Sequence, residues 1–565
     1  MSPPNSSQSE DVIVRVIKSS ARMLNVEDDV ACKDRNLARG RSEKKLAFTP
    51  VISHMPTPRP RIPNVTLAKK QLRQPRYYSL VQAAALRHTR YRDTTLKTSA
   101  FQIPKFTIAK QLSIQSHLHQ STAIKMETNI LLVDPQKLGN ITFTRSKDDL
   151  IDEWDIEYAE GQEYASLKRA AQELVDTDVP VGFPTETVYG LGADATRSSA
   201  VKAIFAAKGR PADNPLIVHI HSLPQLRALL AGELEGSNGI TEEGNDPIPA
   251  IYKPLIERFW PGPLTLILPT PPNSVLAPEV TAGLSTFGAR MPRSILALSL
   301  LRLCGRPLAA PSANASTRPS PTAAEHVFDD LQGRIHTIID GGPCEVGVES
   351  TVVDGLSSPP AILRPGGITV EQLRQCPGWE NVTVGYKDKQ EGSTAQPRAP
   401  GMKYRHYSPK APVILFEAGA GRPSEEEVRA KKTIGLIRTK SWEPTLGLAH
   451  ETPRSAKLNG HSDNTSQVPA SIPNDTPSRL SNLLRSVIQH QIPHARRYNA
   501  EDKEIWDIEL GAETEGVARG LFSALRELDK KNVEVIFVEG IDDKTDDDIA
   551  AAVMNRLRKA AEIRV

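Results

Sequence analysis

From residue 126 to about 376 the chain sets short apolar runs against amphipathic stretches and polar turns, the alternation expected of an α/β unit. Residues 179–183 read as a strand stopped by Pro184, which cannot continue a central ladder. Residues 185–190 form a loop carrying three hydroxyls. Ser198 or Ser199 then caps a helix through Ala207, Gly209 stands at its C-terminal cap, and 216–220 is the next strand. Residues 308–314 read as an apolar strand ending in a Ser-x-Asn turn. Thr322 and Glu325 resemble a capping box opening a helix through Leu331. Residues 348–353 alternate as a strand with Ser350 inside it, 363–367 put Arg364 at a strand exit, and 285–290 carry Thr286 and Arg290.

The pattern changes further on. Residues 377–410 are a Gly- and Pro-containing connector ending in the basic-aromatic run Lys403, Tyr404, Arg405, His406, Tyr407. Beyond it, apolar strands at 413–416, 433–437 and 533–538 alternate with helical patterns at 515–528 and 546–562. That order predicts a smaller, Rossmann-like parallel α/β domain over 411–565. It has no glycine fingerprint for phosphate, so it reads as regulatory or supporting. A Ser-, Pro-, Asn- and Thr-rich stretch, about 441–477, reads as a disordered insertion.

Charge divides the 565 residues more sharply than the net +3 suggests. Residues 1–125 hold 22 Lys/Arg against 8 Asp/Glu, and the remainder 48 against 59. An acidic body argues against tight autonomous binding of RNA, which needs a cationic surface to release counterions. A small-molecule substrate is expected, with direct RNA binding weak or absent. From 46 to 125 there are 13 basic residues and one acid, Asp93, the composition of a mitochondrial presequence placed internally. Three readings stay open for 1–125: a disordered tail or over-extended gene start, a targeting segment, and an RNA-binding arm. The cysteines, Cys32, Cys304, Cys344 and Cys376, form no C-x-x-C, which makes neither a zinc site nor a disulfide framework and suits the reducing cytoplasm. The longest apolar segment, 295–303, falls far short of the roughly 20 residues a membrane span needs.

The chemistry concentrates in 184–220, where hydroxyls, glycines and the Lys208-x-Arg210 pair lie between two apolar segments. Two cations beside a helix end can simply complement its dipole, and His219 can be a satisfied core histidine. The Ser312-x-Asn314 turn, Ser350, Arg290 and Arg364 change that balance. Together they supply cations, hydroxyls and an amide without a nucleophile and base pair.

Six ordered motifs carry a resemblance: PTETVYGLG, KGRP-x-x-NPL, WPGP-x-T, PSAN, VGVEST-V and LRPG. They resemble the YrdC-type threonylcarbamoyl-AMP synthases, and the run from Ala399 to Pro409 resembles the linker of the two-domain version, with Ala399 in place of the usual serine. The resemblance implies a twisted mixed-sheet catalytic domain that joins L-threonine, bicarbonate and ATP into threonylcarbamoyl-adenylate and pyrophosphate. A separate transferase machinery would then use the adenylate on tRNA beside the anticodon. Motif matching assigns Thr187, His219, Arg290, Ser350 and the Ala310 backbone to threonine. It assigns Lys208, Arg210, Asn214, Thr286, Ser312, Asn314, Ser320, Arg364 and His406 to ATP, with Lys208 and Arg210 catalytic. Magnesium is expected on the triphosphate, with no dedicated metal ligands, and the connector is expected to cover the site. Two other classes compete with this reading. A hydrogenase-maturation carbamoyltransferase would bring zinc-binding cysteine clusters, which this chain lacks, and an RNA-binding module of this fold would use the same cations on phosphates.

Overall fold

A computed structural model describes residues 126–145, 150–234, 246–386, 398, 406–448, 493–500, 502–543 and 548–565. The basic segment 1–125 and the connector residues Lys403, Tyr404 and Arg405 lie outside them.

Eleven strands build the first sheet in the order Asn129–Leu132, Thr337–Asp340, Val181–Phe183, Gly190–Asp194, Leu308–Ala309, Ile217–His219, Thr286–Arg290, Leu264–Pro269, Thr351–Asp354, Ala361–Arg364, Thr383–Val384. Parallel and antiparallel pairings mix along it. The central strands are buried on both faces, which explains their continuous apolar reading. The hydroxyl loop follows Val181–Phe183 as expected, and α1 (Ser198–Lys208) ends on Gly209 at φ 61°, ψ 42°.

Several expected details differ. Arg197, not a serine, is the N-cap of α1, and the Ser198 hydroxyl donates to Glu279 instead. The helix α2 (Ala324–Leu331) has Ala323 at its N-cap with no side-chain cap, because the Thr322 hydroxyl pairs with Ser523 at 2.8 Å. Ser350 precedes the strand Thr351–Asp354 rather than lying inside it. Residues 377–386, read as connector, complete the first domain: Trp379 is fully buried and Thr383–Val384 pairs with Ala361–Arg364.

The second sheet has six strands, ordered Arg496–Ala500, Lys503–Glu509, Thr433–Arg438, Val535–Glu539, Val413–Phe416, Ile563–Arg564. It is parallel except for the Arg496–Ala500 edge. The hairpin 496–509 and the last short strand were not read from the sequence. Residues 441–448, placed in the insertion, are ordered, with Trp442 and Leu446 in the core; 449–492 lie outside the described residues. The loop 439–442 wraps a carboxylate: Glu539 accepts from the backbone N–H groups of Thr439, Lys440, Ser441 and Trp442. Among the described residues no helix is long and apolar enough to cross a membrane.

Two helices of this domain, α3 (Thr514–Lys530) and α4 (Asp548–Ala560), reach the first domain through buried arginines. Arg526 of α3 bonds the Asp330 carboxylate at 2.7 Å and the Pro319 carbonyl. Arg556 of α4 bonds the Glu349 carboxylate at 3.0 Å and the Pro365 carbonyl at 2.5 Å. At Gly347, φ 80°, an added Cβ would stand 2.4 Å from Arg519 Cα, so α3 meets the first domain backbone to backbone.

Candidate active site

His219 and Arg290 are register partners at the carboxyl ends of two parallel strands, and the hydroxyl loop folds across those ends. The cleft so formed is lined by Thr187, Arg210, His219, Arg290, Ala310, Ser312, Ser350, Arg364 and His406, together with Glu349 and Tyr407. Nine of the fourteen residues expected from the sequence therefore line one cavity.

Arg290 is its most constrained cation. One Nη donates to Thr187 Oγ1 at 2.9 Å, the other to Glu186 at 2.5 Å, and Nε to the Gly262 carbonyl at 3.2 Å. Three of five N–H donors are so committed, leaving one on each terminal nitrogen for a ligand. Thr185 bonds the Thr187 hydroxyl at 2.9 Å and fixes the loop around it. Across the cleft, Ser350 Oγ lies 2.8 Å from Thr265 Oγ1 and accepts from Arg364 Nη2 at 2.9 Å. The turn holding Arg364 approaches so closely that a Cβ on Gly366 would lie 2.3 Å from the Thr351 nitrogen.

His219 Nδ1 has no hydrogen-bond partner, and burial reinforced by the Arg290 cation holds the imidazole at about 3. Burial and the Arg210 cation hold His406 at about 3 as well. Both rings are neutral near pH 7. They offer hydrogen bonds without adding charge, while Arg210, Arg290 and Arg364 supply it. Burial also lowers Arg364 to about 10, still far above neutrality.

Lys208 is placed differently from expectation. Its Nζ lies under the Ser312–Asn314 turn, donating to the Ser312 carbonyl at 2.5 Å and the Asn314 carbonyl at 2.6 Å. Burial first, then Arg210, pushes its pKa well below the usual lysine value. Asn314 in turn accepts from Ser312 Oγ at 2.5 Å and donates to the Ala315 and Arg318 carbonyls. Lys208 and Asn314 thus shape the turn that presents Ser312. Ser320 donates to Glu349 at 2.5 Å behind the cleft wall. Asn214 is buried between α1 and the strand Ile217–His219 with Oδ1 unpartnered. Thr286 does not join the site. It opens its strand, four residues before Arg290, about 13 Å along the ladder.

Sequence reasoning missed Glu186, Glu349, Tyr407 and Arg556. Burial alone would raise the Glu349 carboxyl, but the Arg556 and Arg364 guanidiniums and the Ser320 hydroxyl outweigh it and hold it at about 2. Tyr407, at φ 68°, bonds the same carboxylate and stacks near Phe522 of α3, with ring centres 5.2 Å apart. One signal was available for Arg556: it shares the apolar face of α4 with Val553, Leu557 and Ala560.

Comparison with known proteins agrees with this architecture. A family profile described as "Telomere recombination" matches residues 173–366, and one described as "Threonylcarbamoyl-AMP synthase, C-terminal domain" matches 368–562. The threonylcarbamoyl-AMP synthase of Schizosaccharomyces pombe is 40% identical over 456 residues, covering 78% of this chain and 98% of the relative. That of Bacillus subtilis is 40% identical over 402 residues, covering 71% and 94%. The crystal structure of Pyrococcus abyssi Sua5 complexed with L-threonine aligns over 78% of this chain and all of its own, at 36% identity and a TM-score of 0.53. Because both domains and nearly the full length of these relatives are matched, the chain belongs to the threonylcarbamoyl-AMP synthase family, in its two-domain form, and is an enzyme.

Proposed function

We propose that the cleft joins L-threonine, bicarbonate and ATP into L-threonylcarbamoyl-adenylate, releasing pyrophosphate. The product then passes to a separate transferase machinery that modifies tRNA beside the anticodon. The threonine complex of the Pyrococcus abyssi relative supports the amino-acid half of this reading. The observation that carries the rest is the convergence of three arginines, two neutral imidazoles and five hydroxyl side chains on one cavity. That set fits two anionic substrates better than a covalent mechanism.

The threonine amine and bicarbonate form a carbamate with loss of water. A carbamate oxygen attacks the α-phosphorus, and the bond to pyrophosphate breaks. The nucleophile is already an anion, so the site supplies orientation and charge compensation rather than a base. Arg290 pairs its two remaining donors with the threonine carboxylate, with Thr187, His219, Ser350 and the Ala310 backbone around the amino acid. Arg210, Arg364, Ser312 and His406 take the nucleotide, with Lys208, Asn314 and Ser320 holding their positions.

Magnesium enters on ATP as part of the substrate. Among the described residues no three His, Cys, Asp or Glu side chains cluster, and Glu349, the carboxylate in the cleft wall, is already bonded to Ser320 and Arg556. The deciding experiment measures pyrophosphate release with each substrate omitted in turn. Release that requires threonine, bicarbonate and ATP together is expected, and equal release without threonine refutes the assignment.

A further inference from the structure

We propose that Arg556, although part of the C-terminal domain, is a positioning residue of the cleft, bracing the segments that carry Ser350 and Arg364 through its hydrogen bonds to Glu349 and Pro365. The proposal rests on reading the cleft as the adenylate-forming site.

Arg556 is fully buried, and its contacts flank one hydrogen-bonded pair of the cleft, Ser350 and Arg364. Nε bonds the Glu349 carboxylate and one Nη the Glu349 carbonyl at 3.4 Å, directly before Ser350. The other Nη bonds the Pro365 carbonyl, directly after Arg364. One guanidinium therefore fixes the backbone spacing of two residues that hydrogen-bond each other across the cleft wall. Through Glu349 it also reaches Ser320 and the Tyr407 hydroxyl, which share that carboxylate. A single planar fork joins the C-terminal helix, the loop after the Ser-x-Asn turn, the connector and the cleft.

A second arginine in the same interface separates docking from positioning. Arg526 is equally buried, but its partners, Asp330 and the carbonyls of Pro319 and His326, do not line the cleft. If the interface serves only to hold two domains together, losing either arginine has the same effect. If Arg556 positions the site, its loss alone alters catalysis.

The charge of Glu349 supplies a signature that simple destabilisation does not give. The groups facing its carboxylate are Arg556 of α4, Arg364 of the neighbouring strand, Lys208 of α1, and His406, Tyr407 and Ser320. Arg364 gives its hydrogen bonds to Ser350 and Lys208 to two carbonyls, so Arg556 is the cation that bonds this carboxylate directly, while Arg364 acts on it through charge alone. Without Arg556 the largest of the charges opposing burial is gone, so the carboxyl moves upward and takes up a proton at a higher pH than in the intact chain.

The test uses the full chain, with ATP varied at saturating threonine and bicarbonate from about pH 5 to 9. Arg556→Met is expected to raise the KM for ATP about tenfold, the loss of one charged hydrogen bond, and to create a new acid limb in the rate profile. Adding Glu349→Gln should abolish that limb. Arg526→Met should lower thermal stability with KM and profile unchanged. Should Arg556→Met fail to fold, Arg556→Lys keeps the charge but cannot span Glu349 and Pro365, so KM rises without the limb. A non-hydrolysable ATP analogue titrated calorimetrically reports the same loss of affinity independently of turnover. Wild-type affinity and profile in the Arg556 variants, or the same changes in Arg526→Met, overturn the proposal. Absence of threonine-dependent release in the unmodified chain instead refutes the reading of the reaction.

Discussion

Replacing Arg290 by methionine removes two things that separate measurements can tell apart. The first is structural. Arg290 and Glu186 are both nearly inaccessible, their side chains 4% and 1% exposed. Deleting the arginine leaves a buried carboxylate with no countercharge, at a cost of about 3–5 kcal/mol. For a domain of this size that lowers the melting temperature by roughly 6–20 °C. The second is functional. The two donors Arg290 leaves free each make a charged hydrogen bond worth at least about 1.5 kcal/mol, about 3 kcal/mol together, so the KM for threonine should rise by roughly 150-fold or more. Arg290→Met combined with Glu186→Gln removes the uncompensated charge, and stability should largely recover while threonine use does not. Thermal unfolding monitored by circular dichroism reads the first effect and pyrophosphate release at varied threonine the second. If the double variant regains normal threonine dependence, Arg290 serves only to neutralise Glu186, and the carboxylate is bound elsewhere.

Further outcomes follow from the same geometry. Arg210→Ala should lower turnover by about two orders of magnitude with the fold intact, since one preorganised electrostatic contact contributes about 3–4 kcal/mol at the transition state. Lys208→Ala should do likewise through collapse of the Ser312 turn, and near-normal rates in either variant would return these cations to a helix-end role. His219, His326 and His406 are held at about 3, below the ordinary 6.5, so the unfolded chain takes up protons first as pH falls. Stability should therefore decline from about pH 6.5 toward 3, and His326→Gln should remove up to about 1.4 kcal/mol per pH unit of that slope, read from urea unfolding. An unchanged slope would show that His326 is not neutral in the folded chain. Deleting residues 1–125 should leave synthase activity intact, and a folded but inactive truncation would show that the segment contributes to the site.

Most of the cleft was legible because its chemistry sits at strand ends, where a polar residue interrupts an apolar run. Arg290 closes one strand, Arg364 another, and Ser312 follows a third. Thr286 was misplaced for the converse reason: a motif records neighbours in sequence, whereas a strand carries its two ends far apart. Thr322 and Glu325 have the spacing of a capping box, yet the partner that claims Thr322 is Ser523, about 200 residues away. No local pattern reports such a contact. Glu349 was hidden by its ordinariness, a carboxylate before a strand. Its role depends on an arginine from the far end of the chain, whose place on an apolar helical face was the one local sign of an unusual partner.

Glu539, held by four backbone amides at the carboxyl end of the second sheet, has a practical consequence. Open α/β sheets commonly receive a ligand in the crevice beyond these strand ends. Here the chain fills the amide loop with an anion of its own, so the domain is self-liganded there. A phosphate compound could use those four amides only by displacing the Glu539 carboxylate. A cavity lined by Gly419, Lys440, Thr514 and Glu539 lies beside that loop, so a nucleotide-induced shift in melting temperature is assigned to the arginine-lined cleft only where a variant of that cleft abolishes it.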